Sequence, residues 1–174
     1  MIRLAFVADN NDTVGCSIPE DRALRASQWP KALAAEVETL FLGESAIVGS
    51  VTYDHNIELF SQLDPGEKEL LVLTRNQDFD LHGNAKATVV TDYMQVVNKY
   101  KDSDEVLIVG GGAVIWELFL PYADEIVIAC TNEPLAGDIK FNSWRDYSFI
   151  EKRRVPWEGG ATVYFQREEK DLRK

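Results

Sequence analysis

Hydrophobic and polar positions follow two rhythms along the 174-residue chain. The run Ile2-Arg3-Leu4-Ala5-Phe6-Val7-Ala8 reads as a buried strand, and Asp9-Asn10-Asn11-Asp12 after it reads as a turn, because short polar side chains bond their own backbone. Over residues 22–42 the spacing becomes helical, with Leu24, Leu33, Val37, Leu40 and Phe41 in one apolar stripe. Pro30 predicts a break in that helix at Trp29, and Gly43 suits its C-terminal cap. Residues 45–48 read as a strand running into Gly49, residues 51–60 as a helix, Asp64-Pro65-Gly66 as a turn and residues 69–74 as a strand. A strand at 87–90, a helix capped by Asp92 and ending at Tyr100, a strand at 105–109 and a helix at 113–120 continue the alternation. After Pro121 only strands remain, at 125–130, 148–155 and 161–167, the last two joined by Gly159-Gly160. Residues 168–174 read as a frayed end.

Repeated strand–helix units followed by strands alone predict an α/β sheet with a parallel centre and an antiparallel C-terminal hairpin at one edge. The length suits one domain spanning residues 1–174. Composition narrows the function. With 18 Lys and Arg against 29 Asp and Glu the formal charge is −11, which disfavours nucleic acid and anionic membrane as partners. No apolar run approaches the roughly 20 residues that span a bilayer, and the start of the chain lacks the features of an export signal, so a cytoplasmic protein is expected; it is also expected to be a monomer. Cys16 and Cys130 are too few for a disulfide framework and read as two reduced thiols, while His55 and His82 sit apart without ligand spacing, so no metal is expected.

The sharpest local feature is Val106-Leu107-Ile108-Val109-Gly110-Gly111-Gly112-Ala113-Val114-Ile115-Trp116-Glu117, a buried strand entering a helix through three glycines. Such a turn lets backbone approach a nucleotide pyrophosphate closely, though a tight strand-to-helix turn needs glycine for its own sake. It lacks the Gly-x-Gly-x-x-Gly spacing, whose third glycine would fall on Ile115. A second strand end, Ala46-Ile47-Val48-Gly49-Ser50-Val51-Thr52-Tyr53, offers Ser50 and Thr52 either as helix caps or as ligand contacts. A third places Thr74 and Arg75 at the carboxyl edge of a strand, where ligands of open α/β sheets gather and where an arginine can meet an extra phosphate.

Taken in order, these segments resemble the dihydrofolate reductase family. The first strand with Val14-Gly15 after a polar loop, Ile47-Val48-Gly49-x-x-Thr52-Tyr53, Pro65-Gly66 before a strand, Val109 to Glu117 followed by Phe119-Leu120-Pro121, and Gly137-Asp138-Ile139-Lys140-Phe141 are collinear with that family's motifs. The resemblance implies a mixed sheet of about eight strands flanked by helices, a cis peptide at Gly111-Gly112, NADPH as cofactor and a small-molecule dihydropterin as substrate. It implies cofactor contacts from Ala8, Val14, Gly15, Gly49, Ser50, Thr52, Thr74, Arg75, Val109, Gly110, Gly111, Gly112, Ala113, Val114 and Trp116, with Thr74 and Arg75 toward the adenosine 2′-phosphate. Ala5, Phe6, Val7 and Val37 would line the pterin pocket.

Two departures shape the functional reading. The family's helix-borne acid, which assists pterin protonation, has two candidates here: Asp21, through the likeness of Ile18-Pro19-Glu20-Asp21, and Glu36, if Trp29 takes the family's tryptophan position and Leu33 the strict acid position. The family's Pro-Gly-Arg turn reads Pro65-Gly66-Glu67, and losing a charge-assisted contact to the folate glutamate would weaken folate roughly 10- to 100-fold. The expected activity is NADPH-dependent reduction of 7,8-dihydrofolate to tetrahydrofolate. The alternatives are reduction of another pterin or of a ribosylamino-pyrimidine of the riboflavin-pathway type, and a catalytically silent nucleotide-binding module.

Overall fold

The computed structural model describes residues 1–62, 66 and 68–168. In chain order the elements are β1 (Ile2–Asp9), β2 (Thr13–Gly15), α1 (Pro19–Ser27), α2 (Lys31–Phe41), β3 (Ser45–Gly49), α3 (Ser50–His55), α4 (Ile57–Gln62) and β4 (Leu70–Leu73). There follow β5 (Ala87–Val90), α5 (Tyr93–Tyr100), β6 (Leu107–Val109), α6 (Ala113–Phe119), β7 (Glu125–Thr131), β8 (Ile139–Lys140), β9 (Phe149–Trp157) and β10 (Gly160–Arg167). The main strands hydrogen-bond in the order β5-β4-β3-β6-β1-β7-β10-β9, the mixed eight-stranded α/β sheet expected from the sequence.

The chain clusters into two compact units, one of Met1–Leu4 with Phe41–Ala123, the other of Ala5–Leu40 with the residues from Asp124 onward. In the first, β3, β4, β5, β6 and the start of β1 run parallel, with Ile47 opposite both Leu71 and Val109 and Leu4 opposite Val109. Every residue of β3, β4 and β6 is buried, which is why their sequences are continuous apolar runs and not alternating ones. Asp92 caps α5 by accepting from the Met94 N–H at 3.0 Å, as its sequence position implied. At the amino ends of the strands the Met1 ammonium donates to the carbonyls of Tyr100, Ser103 and Glu105. Glu69 there accepts from Lys99 and the Tyr100 hydroxyl.

In the second unit β10 lies between β7 and β9, antiparallel to both, with Thr162 opposite Ala129 and Val155. Gly159 turns the β9–β10 hairpin at φ +100°, where a Cβ would sit 2.9 Å from Pro30. The small β2–β8 ladder was not foreseen, since segments of three and two residues carry no period to read.

Other differences have local causes. Pro30 separates α1 from α2 as anticipated, but α1 begins at Pro19, with the proline in the first turn where its missing N–H costs nothing. Leu24 leaves the predicted stripe and is 51% exposed, while Arg25 turns inward to 6% exposure because its guanidinium donates to the carbonyls of Thr13 and Ala136, both at 3.0 Å. The helix expected over 51–60 starts at Ser50 and is two short helices meeting at Asn56, whose side chain donates to the Thr52 carbonyl at 2.8 Å. Of the Pro65-Gly66-Glu67 turn only Gly66 is described, at φ +61°; Asp64, Pro65 and Glu67, and residues 169–174 of the predicted frayed end, lie outside the described residues. No helix among the described residues is long and apolar enough to cross a membrane.

Candidate active site

The first unit holds the glycine turn. β6 leads into Gly110, whose N–H donates to the Ile47 carbonyl at 2.9 Å, and the Gly111 carbonyl accepts from the Gly49 N–H at 2.7 Å. The two glycine segments, at the ends of the neighbouring strands β3 and β6, are thus tied backbone to backbone. The Gly111–Gly112 peptide is cis, as the family resemblance implied, and Gly111 lies at φ +116°. A Cβ on Gly111 would meet the Trp116 ring at 2.9 Å, and one on Gly110 the Phe41 ring at 2.6 Å. Both glycines are therefore required by the fold itself. Gly112 differs, for its φ is −83° and a Cβ there would find only Thr52 Oγ1, at 3.6 Å. Trp116 is buried with its indole N–H donating to the Val109 carbonyl at 3.0 Å, so it braces the turn from below.

Neither α3 nor α6 receives a side-chain cap, since Gly49 and Gly112 occupy the cap positions. The capping reading of Ser50 and Thr52 is thereby overturned: both are half-buried within the first turn of α3, directly after β3, and Thr52 Oγ1 lies near Gly112. Val114, one residue into α6, is 73% exposed, and Ala113 half-buried. At the end of β4, Thr74 Oγ1 accepts from the Asn76 N–H at 3.2 Å, fixing the loop that carries Arg75, and Arg75 is exposed with no ion-pair partner among the described residues. His82, read from sequence as isolated, has its Nε2 3.0 Å from Asp54 Oδ1 across the fold, on an exposed surface.

The second unit holds both candidate acids. Asp21 sits half-buried on α1; its N–H donates to the Ile18 carbonyl at 3.1 Å, and its carboxylate has no hydrogen-bond or ion-pair partner among the described residues. Glu36 on α2 is half-buried, and its Oε2 accepts from the Thr162 hydroxyl of β10 at 2.8 Å. Thr162 is fully buried and itself accepts from the Trp157 indole N–H at 3.0 Å. Leu33, one turn earlier on α2, is fully buried, and Val37 is half-buried beside Glu36 in sequence. Trp29, just before Pro30, has a buried indole N–H that finds no acceptor among the described residues. In β1, Ala5 and Phe6 are buried and Val7 half-buried, with Phe6 edge-to-face on Phe141 at 5.2 Å between centroids.

Ala8, Val14 and Gly15 stand where the chain leaves β1 and forms β2. Sequence reasoning missed what organises this loop. Asp9 is 2% exposed and accepts from the N–H groups of Asn11, Thr13 and Leu135 at 2.9–3.1 Å. Burial pushes its carboxyl up, but these backbone donors outweigh burial and hold it below its usual range. Asp12 accepts from Arg145 at 2.8 Å. Asp138 accepts from the Ser17 N–H at 2.7 Å and from the Ser17 hydroxyl, bonds that lower its carboxyl from the ordinary value. Cys16 is buried, and burial raises its thiol. The Asx signal at Asp9 was legible as a turn, but Thr162, 126 residues from Glu36, gave no signal at all.

Comparison with known proteins agrees with this architecture. A family model described as dihydrofolate reductase matches residues 26–168. A solved dihydrofolate reductase from Enterococcus faecalis, complexed with NADP(H) and RAB-propyl, superposes with a TM-score of 0.73 at 16% identity, covering 97% of each chain. No curated protein matches the sequence.

Proposed function

Because the chain belongs to the dihydrofolate reductase family, we propose that it reduces 7,8-dihydrofolate to tetrahydrofolate with NADPH. The observation that carries the reading is Glu36, a half-buried carboxylate held on α2 by a fully buried hydroxyl, the kind of fixed acid that pterin protonation needs. Glu36, and not Asp21, is the acid in this reading, because no hydrogen bond or ion pair holds the Asp21 carboxylate among the described residues.

The first unit fits a dinucleotide. Gly112 has room for close approach of a diphosphate, Ser50 and Thr52 offer hydroxyls at the adjoining strand end, and the exposed Arg75 suits a 2′-phosphate. NADPH, when bound, supplies the hydride. Glu36 supplies the proton to N5 of the pterin, and the unmet indole N–H of Trp29 is a donor available to the substrate or to a bridging water. Ala5, Phe6, Val7 and Val37 give the ring an apolar lining, and Ala8, Val14 and Gly15 the loop beside it. The 174 residues act as one domain, as a monomer in the cytoplasm.

The test is loss of NADPH absorbance on mixing the protein with NADPH and 7,8-dihydrofolate. Oxidation saturating in both is expected. Glu36→Gln should lower turnover at neutral pH by roughly 100-fold or more with NADPH affinity kept, the usual worth of a general acid, whereas Asp21→Asn should be nearly silent. A second reading is favoured by Glu67, an acid where the family's turn carries arginine: the acceptor is a tail-less pterin or a ribosylamino-pyrimidine. Turnover of such a compound with none of dihydrofolate would decide for it. NADPH binding without oxidation by either class would instead leave a silent nucleotide-binding module.

A further inference from the structure

The bonds at Glu36 run in one direction. An indole N–H only donates, so Trp157 occupies Thr162 Oγ1 as a donor at 3.0 Å. The threonine hydroxyl has a single proton, and the one acceptor within reach among the described residues is Glu36 Oε2, at 2.8 Å. Suppose Glu36 carried its proton on Oε2. It would then have to donate to Thr162, and the threonine's own proton would be left unpaired in a fully buried position. Oε2 is thus kept as an acceptor in both charge states of the carboxyl. Oε1 has no partner among the described residues.

We propose that Trp157 and Thr162 form a one-way hydrogen-bond chain that makes Oε1 the proton-carrying oxygen of Glu36, so that the acid presents its proton from one fixed atom. Trp157 and Thr162 are positioning residues: they touch neither substrate nor cofactor in this account and act through Glu36. The inference rests on the assignment of Glu36 as the acid. In the transfer, the Oε1–H bond breaks as the substrate N–H bond forms, leaving a carboxylate whose Oε2 is already solvated by the Thr162 hydroxyl. The next proton comes from water to Oε1.

The test pairs a spectroscopic signature with kinetics. The Trp157 indole ¹H–¹⁵N resonance, identified by its disappearance in Trp157→Phe, is recorded for the wild type, Glu36→Gln, Thr162→Val and Thr162→Ser. The chain predicts that it moves in Glu36→Gln and in Thr162→Val, and returns close to its wild-type position in Thr162→Ser. With NADPH and 7,8-dihydrofolate, kcat of Thr162→Val should fall about 10-fold, since an acid free to rotate is presented less often. NADPH affinity should be unchanged and Thr162→Ser should restore most of the rate. Trp157→Phe, which keeps the hydroxyl but frees its direction, should fall part of the way. An indole resonance identical in wild type, Glu36→Gln and Thr162→Val overturns the chain whatever the activity. Full kcat in Thr162→Val beside a dead Glu36→Gln overturns the positioning role and leaves the acid assignment standing. Full kcat in Glu36→Gln removes the acid assignment and the proton placement with it, even if the resonance responds.

Discussion

Replacing Gly112 by alanine separates what the glycine turn does for the fold from what it does for a ligand. At φ −83° and ψ −156° Gly112 lies outside the left-handed region, and an alanine methyl there would lie 3.6 Å from Thr52 Oγ1, an ordinary contact. Folding stability should therefore change by no more than about 1 kcal/mol, the stiffer unfolded chain offsetting local adjustment at the turn. A bound diphosphate resting against that backbone would meet the new methyl, an overpacking worth about 1–3 kcal/mol, or roughly 5- to 150-fold in Kd. Gly111→Ala is the contrast: at φ +116° and 2.9 Å from Trp116 it should lose roughly 2–4 kcal/mol of stability before any ligand is added. Urea midpoints measure the first quantity, and NADPH titration by tryptophan quenching the second. If Gly112→Ala bound NADPH within twofold of the wild type, the reasoning that places a diphosphate at this turn would be wrong.

Further outcomes follow from the charged groups. Arg75→Gln should weaken NADPH about 10- to 100-fold and leave NADH unchanged, the worth of one charge-assisted contact; equal effects on both cofactors would remove Arg75 from the 2′-phosphate. Asp9→Asn should cost about 1–3 kcal/mol at neutral pH, because an amide nitrogen cannot accept from the N–H groups the carboxylate serves. Since the Asp9 carboxyl is held below its ordinary range, its contribution is present above about pH 4 and fades as pH falls through its folded value, so urea midpoints of wild type and variant should converge in acid. Tyr100 behaves oppositely: burial first, and then the bond to Glu69, push its phenol up to about 12. Its contribution is complete below about pH 10 and is lost as pH climbs toward that folded value, so wild-type stability should decline over this alkaline range while Tyr100→Phe stays flat.

The order of strands and helices was legible because buried parallel strands must be apolar throughout and surface helices must be periodic; Ala87–Val90 and the Asp92 cap appear where the pattern put them. The glycine turn was legible as a place of close backbone approach, and there Gly110 and Gly111 bond the backbone of Ile47 and Gly49. Leu24 and Arg25 show where such reading ends. An arginine bonded to two carbonyls from other segments reverses which side of α1 faces inward, and no period announces it. The choice between Asp21 and Glu36 was equally closed to sequence, since what distinguishes them is a hydroxyl on a strand made 126 residues later.

That separation also bears on how the protein is made. Translation delivers Glu36 early and β10 last among the described strands, and β10 is the middle strand of its antiparallel trio. In the reading proposed above, a nascent chain therefore carries Glu36 without the hydroxyl that fixes it while the glycine turn of the first unit is already complete in sequence. On that reading, a chain that ends before Thr162 carries the whole glycine turn and lacks the hydroxyl that fixes the acid.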